Sequence, residues 1–131
     1  MVDINNKTKV KLDEKAIRQV AEKFLKKYKQ GKKDVSLAFI GDEKMRKLNK
    51  SYRQSDRTTD VLAFLGENDF FGEIIISLPQ IKRQAKESFK YELIFVLIHG
   101  LLHLLGHEDK TEKERGKMIK MGEEFLKTFN F

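Results

Sequence analysis

Apolar and polar residues follow two rhythms along this chain, and those rhythms assign most of its elements. Residues 7–12, KTKVKL, alternate and predict an edge strand. Asp13 is suited to capping a helix. Behind it, Ile17, Val20, Ala21, Phe24, Leu25 and Tyr28 recur at the spacing of one helical face, and Gly31 supplies a stop. Residues 34–40, DVSLAFI, read as a strand. Asp42 opens a short helix with Met45, Leu48 and Tyr52 inward, and RQSDRTTD at 53–60 is a polar loop. VLAFL at 61–65 and GEIIIS at 72–77 are apolar runs of strand length, joined by a loop with Gly66, Asn68 and Asp69.

Ser77 and Gln80 have capping-box spacing, with Pro79 in the first turn of a helix lined by Ile81, Ala85 and Phe89. Residues 91–105 carry apolar side chains on every side, the mark of a central buried helix. Gly106 can end it in a left-handed conformation. Thr111 and Glu114 form a second capping box for a last helix, with Met118, Met121, Phe125 and Phe129 packing inward. The sum is an α+β fold: a small mixed sheet of about four strands with about five helices, one of them buried against the sheet.

Composition narrows the class. A chain of 131 residues is one domain's length, so residues 1–131 are expected to form a single domain. The 40% apolar content, with ten Phe, suffices for one core. No Cys is present, which excludes a disulfide partner, a Cys-type zinc finger, an iron–sulfur site and a thiol nucleophile. MVDINNKTKV lacks a signal core and no run approaches a membrane span, so a cytoplasmic protein without a membrane partner is expected. The net charge of +7 is uneven. Residues 1–33 hold 11 Lys or Arg against 4 Asp or Glu, whereas the remainder balances. A basic segment of that kind suits a polyanion such as RNA, or is simply the solvated face of a helix.

All three His fall within nine residues, in HGLLHLLGHED at 99–109. On a helix, His99 and His103 are offset by about 40° around the axis and about 6 Å along it. Two imidazoles at that pitch can bind one metal ion. A third ligand must come from beyond the helix, where Gly106 allows the chain to reverse and bring back His107 or Asp109. A buried imidazole without a partner costs roughly 1–3 kcal/mol, which weighs against a purely structural pair in the most apolar helix. With two His and no Cys, zinc is the first choice, and a two-His-one-carboxylate set also suits iron or another divalent metal. Zinc proteases of the H-E-x-x-H type place their general base after the first His. Gly100 stands there instead, which demotes a protease.

These residues resemble a known family. HGLLHLLG with the acidic residues behind it is similar to the H-G-x-L-H-L-x-G-x-D-H signature of the YbeY family of bacterial endoribonucleases. LNKSYRQSDRTTDVLAF at 48–64 resembles that family's L-N-x-x-Y-R-x-x-D-x-P-T-D-V-L-S-F-P, and GEIII at 72–76 resembles its G-D-I-x-I strand. The three blocks keep the family's order and spacing from about residue 34 to 110. The resemblance implies a zincin-like α+β fold and a metal held by three His. It also implies a metal-dependent, single-strand-specific endoribonuclease of ribosomal RNA maturation, at the 3′ end of the small-subunit RNA, and of ribosome quality control. Its partners would be ribosomal RNA or the small ribosomal subunit. By position, His99 and His103 become the first two ligands, the family's third His falls on Asp109, and its conserved Arg falls on Arg53.

The departures carry information. Asp109 replaces the third His and remains chemically sound, because a carboxylate oxygen reaches zinc at about 2.0–2.2 Å. His107 occupies a slot usually held by an aromatic residue and is the alternative third ligand. Thr58, Ala63 and Leu65 stand where the family has Pro, Ser and Pro. Arg53 is the candidate catalytic guanidinium, since its planar fork suits phosphate. The sequence supplies no convincing general base, and Glu108 is only a distant candidate. Two other classes keep the same residues: a metal-stabilised RNA- or ribosome-binding module without catalysis, and a metallohydrolase of another bond such as a peptide.

Overall fold

The computed structural model describes residues 1–53 and 59–129, except the side chain of Arg53. Asp56 and Thr58 therefore lie outside the described residues, with most of the polar loop of 53–60.

The first strand is not at 7–12. β1 is Val2–Asn6, where Val2 and Ile4 face the core. Residues 7–12 instead follow local polar chemistry. Asn6 Oδ1 accepts from the backbone and hydroxyl of Thr8 at 3.0 and 2.7 Å, and Thr8 Oγ1 accepts from the Val10 amide at 3.1 Å. Such side-chain bonds compete with a sheet ladder and turn the chain. α1, Glu14–Lys27, starts where Asp13 accepts the Ala16 amide at 3.1 Å, and it buries Ile17, Val20, Ala21, Phe24 and Leu25. It stops earlier than Gly31, at a left-handed turn taken by Lys29 with φ of 60°.

β2 (Asp34–Ile40), β3 (Val61–Leu65) and β4 (Phe70–Ser77) complete a mixed sheet of order β1-β2-β4-β3. β1 and β4 run parallel to β2, and β3 runs antiparallel to β4 with Val61 opposite Ile76. Alternation on β2 and β4 divides the core. Val35, Leu37, Phe39, Ile74 and Ile76 meet α1, α4 (Phe89–Leu104) and α5 (Glu112–Leu126) on one face. Ala38, Ile40, Leu62 and Ile75 meet Met45 of α2 (Asp42–Arg53) on the other. That second core is small. It holds Met45 and part of Leu48 but not Tyr52, which is 64% exposed and meets Phe64 edge-on at 4.9 Å.

α3 is Leu78–Gln84, capped by Ser77 with Pro79 in its first turn. The reciprocal arm of the box is not formed: the Gln80 side chain bonds Gln84 and Arg83. α3 also ends before Ala85, whose backbone is extended. Ser88 then caps α4 by accepting the Tyr91 amide at 3.0 Å, so Phe89 opens a new helix instead of closing the old one. The Thr111–Glu114 box forms in full at the start of α5. Among the described residues no helix is long and apolar enough to cross a membrane.

Gly72 locks α4 to the sheet. Its φ is +153°, and a Cβ there would lie 2.5 Å from the Phe64 carbonyl oxygen and 2.7 Å from a Leu104 methyl. Gly72→Ala is therefore expected to destabilise the protein by about 2 kcal/mol or more, through backbone strain and overpacking together. Thermal and urea unfolding measure it; an unchanged midpoint contradicts this account.

Candidate metal centre

α4 crosses β3 and β4 at close range because of Gly100. A Cβ at this position would lie 3.0 Å from Ile74 Cγ2 and 3.3 Å from Val61 Cγ2. The residue after the first His thus faces the sheet, with no room for the Glu of a protease. The neighbouring His99 and His103 face away from that contact, half-buried, with ring centroids 4.8 Å apart.

α4 ends at Leu104, and Gly106 takes φ of +102°, a left-handed value that glycine adopts without strain. The chain reverses there and returns Asp109 to the helix. Asp109 Oδ2 lies 3.2 Å from His99 Nε2 and 3.4 Å from His103 Nε2. One ligand atom from each of the three residues falls within 4.8 Å of the others. Bonds of about 2.0–2.1 Å to a tetrahedral ion set its ligand atoms about 3.3 Å apart, so both nitrogen–oxygen separations already match. The proton positions fit as well. His103 Nδ1 lies 3.1 Å from the His107 carbonyl, which only accepts, so Nδ1 carries the proton and Nε2 keeps its lone pair for a cation.

His107 contributes that backbone carbonyl, and its imidazole is not in the three-residue cluster found among the described residues. Glu108 is exposed and pairs with Lys110 at 3.8 Å. Partial burial pushes the Asp109 carboxyl up, but the hydrogen bond with His99 and the electrostatic pull of the His103 and His99 rings outweigh it and hold it below the usual Asp value. The cluster therefore keeps its anionic oxygen at neutral and mildly acidic pH.

The three residues line a cleft of about 320 Å³, walled by Thr59, Asp60 and Val61 on one side and by Arg115 and Ile119 on the other. Asp60 is fixed by Gln84, whose Nε2 donates to its carboxylate at 3.0 Å. Arg115, in the first turn of α5, donates from Nη1 to the carbonyls of Asp109 and Lys110 at 3.2 and 3.3 Å. Arg115 lies outside the motifs that carry the family resemblance. The signal was available: a helix capped at Thr111 turns its first residues back towards the loop that carries Asp109. Arg53 ends α2, and its side chain lies outside the described residues.

The basic α1 stands elsewhere. It packs on β1 and α4, whereas the cleft opens beside β3, the opposite edge of the sheet. Several of its cations have internal partners. Arg18 donates to the Val2 carbonyl, Lys23 to that of Thr128, and Lys27 lies 5.5 Å over the Phe125 ring.

A family model described as endoribonuclease YbeY matches residues 3–130. Proteins named endoribonuclease YbeY from Bacillus cereus and Geobacillus thermodenitrificans are 38% and 42% identical over 113 aligned residues, each covering 73% of this chain and 72% of the relative. One of the same name from Halalkalibacterium halodurans is 36% identical over 121 residues, covering 79% of this chain and 76% of the relative. The fold is similar to the solution structure of a Thermotoga maritima protein, with a TM-score of 0.64 and 32% identity over 98% of this chain and 91% of that one.

Proposed function

The chain belongs to the YbeY endoribonuclease family, and from that membership we propose that residues 1–131 act as one metal-dependent domain cleaving single-stranded RNA. The cellular role is maturation of ribosomal RNA, at the 3′ end of the small-subunit RNA, and ribosome quality control in the cytoplasm. The observation that supports the chemistry best is the convergence of His99 Nε2, His103 Nε2 and Asp109 Oδ2 at separations suited to one divalent ion. Zinc is the first choice of metal, and the two-imidazole, one-carboxylate set also accommodates iron.

A divalent ion held there supplies Lewis acidity and lowers the pKa of water to about 7. The chain's own residues orient that chemistry. The His107 carbonyl fixes the His103 ring, Gly106 sets the return of Asp109, and Arg115 pins the loop through two carbonyls. Phosphodiester cleavage builds negative charge on the phosphoryl oxygens, and Arg53, at the end of α2, is assigned to hold it.

Purified protein incubated with single-stranded RNA, with and without chelator, tests the reading. Metal-dependent internal cleavage is expected, and intact RNA in every condition overturns it. In the same assay Arg53→Lys is expected to cut single-turnover cleavage about 10²-fold, with metal content unchanged, because Lys keeps the charge but not the paired hydrogen bonds. Equal rates remove Arg53 from the site.

A further inference from the structure

We propose that Arg115 is a phosphate-binding residue of the metal cleft, in addition to pinning the loop of Asp109. The inference rests on the endoribonuclease reading for its substrate, but not for the phosphate contact itself.

Four observations carry it. Arg115 lines the same cleft as His99, His103 and Asp109. Its bonds to the carbonyls of Asp109 and Lys110 both leave from Nη1. A guanidinium has five N–H donors in a fixed fork, so this attachment holds the group at the cleft wall and leaves Nε and Nη2 to donate elsewhere. Among the described residues no carboxylate forms an ion pair with Arg115. Arg83 shows the contrast, since Asp42 takes its guanidinium at 2.6 and 2.8 Å. The fourth observation is the charge of the ligand set. The Asp109 carboxylate halves the charge of any divalent ion it binds, which weakens the pull of the site on a phosphodiester anion. A second cation on the cleft wall offsets that loss. Arg115 is placed to supply it.

A residue that only pins the loop and one that also contacts phosphate behave differently on substitution. Arg115→Gln keeps a donor for the carbonyls and removes the charge; Arg115→Lys keeps the charge and removes the fork. The wild-type and both variant proteins are loaded with metal. Metal affinity is then measured by chelator competition, affinity for inorganic phosphate by calorimetry, and cleavage of single-stranded RNA by single turnover. The expected result for Arg115→Gln is metal affinity within about threefold of wild type, phosphate affinity weaker by about tenfold or more, and cleavage slower by about the same factor. Arg115→Lys should fall between. Unchanged phosphate affinity in both variants overturns the proposal. So does a loss of metal affinity that accounts for the whole effect, or a wild-type protein that binds no phosphate. If the wild type leaves RNA intact while Arg115→Gln still loses phosphate affinity, the RNA substrate fails and the phosphate contact stands.

Discussion

His99→Ala is expected to abolish high-affinity metal binding and, with it, RNA cleavage. Two ligands would remain, and two rarely hold a divalent ion against buffer and water. Among the described residues no fourth donor joins the cluster to replace it. Gly100 packs tightly against Ile74 and Val61, which holds α4 in its register on the sheet. Among the described residues the cluster contains one further donor pair, His103 and Asp109. The fold should survive: Ala is the best helix former, and the His99 side chain is not part of the apolar core. Metal analysis after gel filtration checks the first claim, and circular dichroism with thermal melting checks the second. Undiminished metal content in a folded variant would sink the three-residue centre.

Much of this architecture was legible in the chain, for a physical reason. Strands buried on one or both faces and helices with a single apolar stripe write their periods into the sequence, and β2, β3, α1 and α5 follow those periods closely, while the all-round apolar run of α4 marks it as the buried helix. The departures occur where a local hydrogen bond competes with periodicity. Asn6 and Thr8 draw residues 7–12 out of the sheet. Ser88 caps a new helix at Phe89, the residue whose spacing assigned it to the end of the preceding helix. β1 has only Val2 and Ile4 as inward positions, too short an alternation to stand out. Tyr52 falls on the inward stripe of α2, yet the second core ends one turn before it.

The metal centre divides in the same way. Spacing alone puts His99 and His103 on one face, because helical geometry is rigid. The third donor depends on how the chain leaves the helix, and there spacing left both His107 and Asp109 open. Arg115 depends in addition on how α5 docks after its capping box. Contacts that rest on the path of a loop are the least legible, since a few backbone angles at Gly106 decide them.

That loop path sets the last expected result: Asp109→Ala should weaken metal binding by about 10³-fold, and His107→Ala by less than about tenfold. Asp109 Oδ2 stands within 3.4 Å of both Nε2 atoms, so its removal deletes one of the three proposed ligand atoms. His107 meets the cluster through its backbone carbonyl, which an Ala at 107 still provides to His103 Nδ1. A partner that only orients a ligand typically costs about 10–100-fold when it is lost outright, and here it is retained. Asp109→Asn separates charge from shape. It keeps an oxygen in place but loses the anion, and the metal should weaken less than in Asp109→Ala. Proton linkage adds a check in the metal-free protein. The Asp109 carboxyl sits below its ordinary value, so its contribution to stability is present above the unfolded-chain value and disappears as pH falls through the lower, folded one. Wild type and Asp109→Asn should therefore differ in melting temperature at neutral pH and converge in strong acid. Chelator titration of the three variants ranks the ligands directly. The reverse ranking, with His107→Ala the damaging change, would hand the third position to the His107 imidazole. Residues 105–109 would then have to turn that side chain into the cleft and move Asp109 out of it.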